Sequence, residues 1–130
     1  MIVVDTSALV SIFAEEPGFE LCLKRLSSGE PSFLPVSAYV EFLLISKLRQ
    51  QRRGWIDDLL ESGVVVLTPV EPSHGPIAAD AARRYGKGSG HPAQLNFGDC
   101  LAYAVAKYRD LPLLYVGNDF SKTDLRSALA

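Results

Sequence analysis

A chain of 130 residues, 48% hydrophobic and 22% charged, has the composition of one globular domain spanning residues 1–130, with a real core and no room for a second. No apolar run reaches membrane-spanning length, and Met1-Ile2-Val3-Val4-Asp5 lacks the basic start of a signal peptide, so a cytoplasmic protein with no membrane partner is expected. A formal net charge of −2 weighs against an open, nonspecific nucleic-acid binder.

Ile2 to Val4 reads as a short buried strand, and Thr6 and Ser7 are natural caps for a helix beginning at Ala8. Phe19 to Leu26 has helical spacing, and Ser32 to Leu34 reads as a second strand. Ser37 opens a helix expected to run to about Gln50; Gly54 breaks the chain, and Trp55 to Leu60 is a further helical piece. Val64 to Leu67 is the clearest strand. The segment holding Pro69, Pro72 and Pro76 is a loop, and Ile77 to Tyr85 is an alanine-rich helix. Gly86 to Pro92 is too glycine-rich for regular structure. Phe97 to Tyr108 is a helix with a small-residue face, and Leu113 to Val116 is a last buried strand ending at Gly117. Strands alternating with helices predict an α/β fold: a three-layer α/β/α sandwich around a short parallel central sheet.

The two cysteines, Cys22 and Cys100, lie in apolar helical patterns without metal-ligand spacing and read as reduced core thiols. His74 and His91 have no partner at such spacing and read as structural or exposed. Lys47, Arg49, Arg52 and Arg53 cluster, as do Arg83, Arg84 and Lys87; each cluster is either a solvated helix end or a basic lip beside a pocket. Lys87 lies in a glycine-rich loop without the Walker spacing, so it is at most a phosphate contact, or simply an exposed lysine.

Four carboxylates stand out by their neighbours. Asp5 follows a hydrophobic strand directly, and Asp119 lies just past the last one, where open α/β sheets bind ligands. Asp99 begins an apolar helix, and Glu41 interrupts the run Tyr39-Val40-Glu41-Phe42-Leu43-Leu44-Ile45. Each has a structural reading: Asp5 as a helix cap, Asp99 as a partner of the helix dipole, Asp119 as a turn residue. Glu41 is the costliest to leave unpaired among apolar side chains, unless its helix turns it outward. Brought together, the four would repel one another, and a divalent cation would remove that penalty. An all-oxygen donor set suits Mg²⁺ or Mn²⁺ better than zinc, and the chemistry implied is phosphodiester hydrolysis.

Val3-Val4-Asp5-Thr6-Ser7-Ala8-Leu9 resembles the opening of PIN-domain nucleases. Tyr85-Gly86-Lys87-Gly88 followed by His91-Pro92-Ala93 and Leu95-Asn96-Phe97-Gly98-Asp99-Cys100 resembles a signature of VapC-type toxins. So does the ending, Leu113-Leu114-Tyr115-Val116-Gly117-Asn118-Asp119-Phe120 with Thr123-Asp124. The resemblance covers essentially the whole chain. It implies a metal-dependent endoribonuclease, the toxin of a toxin–antitoxin pair, with RNA as substrate and a cognate antitoxin as inhibitor, usually a homodimer. It makes Asp5 and Asp99 the principal metal ligands and places Glu41 and Asp119 in the same pocket, as further ligands or as positioners of the attacking water. Thr6 and Ser7 match the small hydroxyl residues after the first aspartate, and Asn96 matches a position near the pocket.

Other classes fit less well. An aspartate-nucleophile phosphotransferase needs a second acid two residues after the first, where this chain has Ser7. A serine hydrolase lacks its nucleophile elbow. A domain that only binds RNA or a partner stays open at this level, although it has no use for four costly carboxylates.

Overall fold

The computed structural model describes residues 1–130. Its elements run β1 (Ile2–Val4), α1 (Thr6–Phe13), α2 (Phe19–Leu26), β2 (Ser32–Pro35), α3 (Val36–Leu44), α4 (Arg49–Glu61), β3 (Val65–Thr68), α5 (His74–Tyr85), α6 (Phe97–Arg109) and β4 (Leu113–Leu114), then a short 3₁₀ turn at Phe120–Lys122. The sheet is parallel throughout, in the order β3-β2-β1-β4. The chain therefore steps outward from β1 to β2 and β3, then returns to the other side of β1 for β4. That reversal makes the gap between β1 and β4 a topological switch point, and residues just past both strands face it.

Strand alternation divides the interior. Ile2, Val4, Leu34 and Val65 face α1 to α4, with Leu9, Phe42 and Ile56 among the fully buried side chains of that layer. Val3 and Leu113 face α5 and α6, whose inner surface is built from Ala78, Ala81, Ala102, Ala104 and Ala106 with Tyr85 and Tyr103. Small residues let α5 and α6 approach each other closely. The expected α/β/α sandwich is the architecture found.

Three local expectations are corrected. The helix expected over 37–50 ends at Leu44. Ile45 is extended, Leu48 takes a left-handed φ of 59°, and α4 then runs unbroken through Gly54. Arg52 explains the early end. Its guanidinium lies 4.9 and 4.8 Å from the Phe13 and Phe42 ring centroids, and its Nε donates to the Lys47 carbonyl, so the chain folds back toward it. The cost of a helical Gly54, about 1 kcal/mol, is small beside the packing of Trp55 and Ile56 on the core. β4 stops at Leu114 rather than Val116, because the Val116 amide is taken by a side chain. Ser37 does not cap α3: Pro35 holds the cap position, and the Ser37 hydroxyl makes no hydrogen bond.

The cysteines are free and buried as expected. Both histidines hold the backbone: His74 Nδ1 accepts from the Glu71 amide at 2.9 Å and His91 Nδ1 from the Ala93 amide at 3.1 Å. The segment after β4 is fastened down by Asp124, which accepts from the Tyr103 hydroxyl at 2.6 Å and pairs with Lys107 at 2.8 Å.

Candidate active site

Asp5 is the first residue past β1, at the switch point. Its Oδ2 caps α1, accepting from the Ser7 amide at 3.0 Å, and also accepts from the Ser7 hydroxyl at 2.6 Å. The capping role expected of Thr6 and Ser7 thus belongs to Asp5, and the hydroxyls serve other ends. Ser7 Oγ accepts from the Val116 amide at 3.0 Å, lacing the end of β1 to the chain leaving β4. Thr6 Oγ1 lies 2.9 Å from Glu41 Oε1 and 3.2 Å from the Ala38 carbonyl.

Glu41 reaches the site because α3, on one face of the sheet, meets the first turn of α6, from the other face. The contact is close. A Cβ at Gly98 would lie 2.7 Å from Glu41 Oε1 and nearer still to Oε2, so only glycine admits the carboxylate there. Asp99 follows directly, in a reciprocal capping box: its amide donates to Asn96 Oδ1 at 2.8 Å and its Oδ2 accepts from the Asn96 amide at 3.0 Å. Asp119 stands past β4, exposed and without a hydrogen-bond partner for its side chain, at the entry to the 3₁₀ turn.

The four act on one another electrostatically. Burial pushes the Asp5 carboxyl above its usual range and the Glu41 charge adds to this, while the Ser7 hydroxyl and amide pull the other way. Burial raises Glu41 too, opposed by Thr6 and reinforced by Asp99. Asp99 is pushed up to about 6, first by burial, then by Asp5 and Asp119; Lys87 counters it, the one basic side chain acting on this carboxylate. Asp5, Glu41 and Asp99 thus share one patch at one end of the sheet, with the Asp119 charge acting on Asp99.

The donor chemistry fits a hard divalent cation. All the groups are oxygens, and Asp5 and Asp99 each keep one carboxylate oxygen outside their hydrogen bonds. No three Asp, Glu, His or Cys side chains are drawn into a closed ligand set, so any ion would complete its shell with water or substrate oxygen.

The basic lips fare differently. Arg52 is buried, Arg53 pairs with Asp57 and Arg83 with Asp80, and Arg84 lies over Tyr85. Of the two clusters, Lys87 is the member whose charge acts on Asp99. Gly98 and the Ser7 link to Val116 went unread in the sequence. A glycine placed just before an acid in the first turn of a helix was the available signal for the former; nothing local signals the latter.

A parallel sheet with acids gathered at its switch point, framed by α3 and α6, defines the class. Residues 2–125 match the family model described as PIN domain, and the chain belongs to that family. Within it the chain falls among VapC proteins. It is 45% identical to a VapC ribonuclease of Rhizobium meliloti, over 94% of this chain and 97% of the relative. It is 38% identical to ribonuclease VapC42 of Mycobacterium tuberculosis, over 97% and 98%. Among solved structures, the crystal structure of Mycobacterium tuberculosis VapC20, described as a Sarcin-Ricin loop cleaving toxin, superposes with a TM-score of 0.75 at 17% identity, covering 96% of each chain. A toxin–antitoxin complex from Klebsiella pneumoniae gives 0.69 at 16%, covering 93% of this chain and 91% of that one. These two likenesses speak to the fold.

Proposed function

We propose that this protein is a Mg²⁺- or Mn²⁺-dependent endoribonuclease, the toxin of a toxin–antitoxin pair. The observation that carries the reading is the convergence of Asp5, Glu41 and Asp99 beyond the end of β1, with Glu41 joined to Thr6 beside Asp5 and its carboxylate set against Gly98 beside Asp99. Such an arrangement raises the energy of the metal-free fold and is relieved by a cation. The names of the relatives support RNA as substrate. The Klebsiella pneumoniae complex supports a protein antitoxin as partner.

Asp5 and Asp99 would hold the ion. Bound there, the metal supplies Lewis-acid polarisation of a phosphoryl oxygen and a water of lowered pKa. The chain's own groups do the rest. Ser7 fixes which Asp5 oxygen is free by occupying Oδ2. Glu41, with Oε1 tied to Thr6, has its other oxygen left to orient or deprotonate the attacking water. Asp119 adds negative charge from the rim, which favours cation binding and positions water. A cationic antitoxin side chain entering the pocket would neutralise the same carboxylates, which is the inhibition expected. The protein acts as a homodimer in this reading.

The test is cleavage of structured RNAs by the purified chain with and without Mg²⁺ or Mn²⁺, beside Asp5→Asn and Asp99→Asn. Cleavage that needs the metal and disappears in both variants is the expected result. Cleavage that survives both substitutions rules out this site as its source.

A further inference from the structure

The Asp119 side chain has no hydrogen-bond partner, so its place near Asp99 is set by the backbone that carries it. Between Leu114 and Arg126 no backbone hydrogen bond ties that backbone to the sheet. Two side chains fasten it instead. Phe120 is buried, its ring 5.4 Å from that of Tyr115. Asp124 is gripped at both oxygens: Oδ1 accepts from the Tyr103 hydroxyl at 2.6 Å, and Oδ2 pairs with Lys107 at 2.8 Å. Between these anchors the chain closes on itself. The Thr123 amide and hydroxyl both donate to the Phe120 carbonyl, at 3.0 and 2.7 Å, and the Ser121 hydroxyl donates to the Asn118 carbonyl at 2.8 Å. A turn stiffened in this way transmits a displacement of Asp124 to Asp119.

The grip also has a register. Asp99, Tyr103 and Lys107 follow one another at four-residue intervals along α6, so they form a stripe on one face in steps of about 6 Å. Asp124 holds the second and third members, and the Asp119 charge acts on the first. The segment leaving β4 therefore lies along the stripe that presents Asp99. Tyr103 is a rigid post for it: the residue is 2% exposed, with its ring 5.8 Å from that of Tyr85, which in turn lies 4.9 Å from the His91 ring. The half-exposed pair with Lys107 alone would locate Asp124 weakly. A short hydrogen bond from a buried, ring-packed hydroxyl to a carboxylate locates it firmly.

We propose that Tyr103, Asp124 and Lys107 form a clamp that serves the candidate active site, keeping the segment after β4 in register on α6 so that the Asp119 carboxylate stays beside Asp99. Asp124 is a positioning residue rather than a ligand, since both its oxygens are already taken. The inference rests on the metal-dependent reading above and adds to it what keeps the rim carboxylate in place.

The experiment is a double-mutant cycle on the full chain, read by calorimetric Mn²⁺ binding without RNA. Asp124→Asn can keep the tyrosine through its carbonyl oxygen but turns an NH₂ group on the Lys107 ammonium. It should weaken Mn²⁺ binding about threefold, and Asp119→Asn about fivefold. In the Asp119→Asn background, Asp124→Asn should change nothing further, because the carboxylate it positions is gone. Tyr103→Phe, which removes only the hydroxyl, should repeat the pattern and decides the matter where Asp124→Asn fails to fold. In chelator, amide exchange in Asp124→Asn should quicken at residues 118–123 and stay unchanged in β1 and α6. Losses that multiply in the double variant would give the clamp a role in general stability and overturn the proposal. Parent-like Mn²⁺ binding by Asp124→Asn or by Asp119→Asn overturns it as well. If the unsubstituted chain binds no Mn²⁺, the metal-dependent reading itself fails, a result separable from a bound ion that is indifferent to the clamp.

Discussion

Asp5 and Asp119 lie beyond the ends of two adjacent parallel strands, Asp5 directly after β1 and Asp119 further out in the segment that leaves β4, and the chain treats them oppositely. Asp5 is buried, caps α1 and is gripped by both the amide and the hydroxyl of Ser7. Asp119 is exposed and held by nothing. The difference follows from what comes next in the sequence. After β1 the chain turns at once into a helix, whose first amides need an acceptor; after β4 it enters Gly117-Asn118, which makes no such demand. One strand end thus offers a preorganised, desolvated oxygen, and the other a screened charge at the rim.

Substitutions at the site can break or sharpen that contrast. Asp5→Asn should cost the most, about 10³-fold or more in kcat for RNA cleavage, with Asp99→Asn close behind, since each removes a metal oxygen. Gly98→Ala should cost about 100-fold with the fold retained by circular dichroism, because the new methyl displaces the Glu41 carboxylate. Ser7→Ala should cost about 10-fold to 100-fold in Mn²⁺ affinity by calorimetry, as it frees Asp5 Oδ2 and unlaces Val116 together. Asp119→Asn should cost least, under about 10-fold, as its charge acts through solvent. Equal losses for Asp119→Asn and Asp5→Asn would end the distinction between gripped and rim carboxylates.

The smallest effect is on stability. Asp99 titrates near 6 in the fold against an ordinary value of 3.8. Between those values the folded chain holds a proton that the unfolded chain has lost. Stability of the metal-free protein therefore falls as pH rises from about 4 through 6, and Asp5 and Glu41, raised likewise, act in the same direction. Melting temperature in chelator should show this decline, Mg²⁺ or Mn²⁺ should reverse it, and Asp99→Asn should flatten it. An identical pH profile for Asp99→Asn would show that Asp99 does not carry this burden.

Much of this was legible without the fold. The apolar runs at 2–4, 32–34, 64–67 and 113–116 and the helical spacing between them determine a parallel α/β sandwich, because periodicity is a local property of the chain. The same holds for the four carboxylates, each marked by the apolar company it keeps. What the sequence could not determine is where side chains from distant elements meet. Arg52 reads as a surface cation, and only the Phe13 and Phe42 rings make it a buried pin that ends α3 early. Asp5 reads as either a cap or a ligand, and the fold lets one oxygen cap while the other stays free. Gly98 has no distinct reading in the sequence, and only the meeting of α3 with the first turn of α6 makes it the residue that leaves room for the Glu41 carboxylate. Convergence at the switch point depends on β4 returning beside β1 rather than continuing past β3. That choice is made by packing α5 and α6 on the far face of the sheet, a global balance of buried surface that no short window of sequence contains.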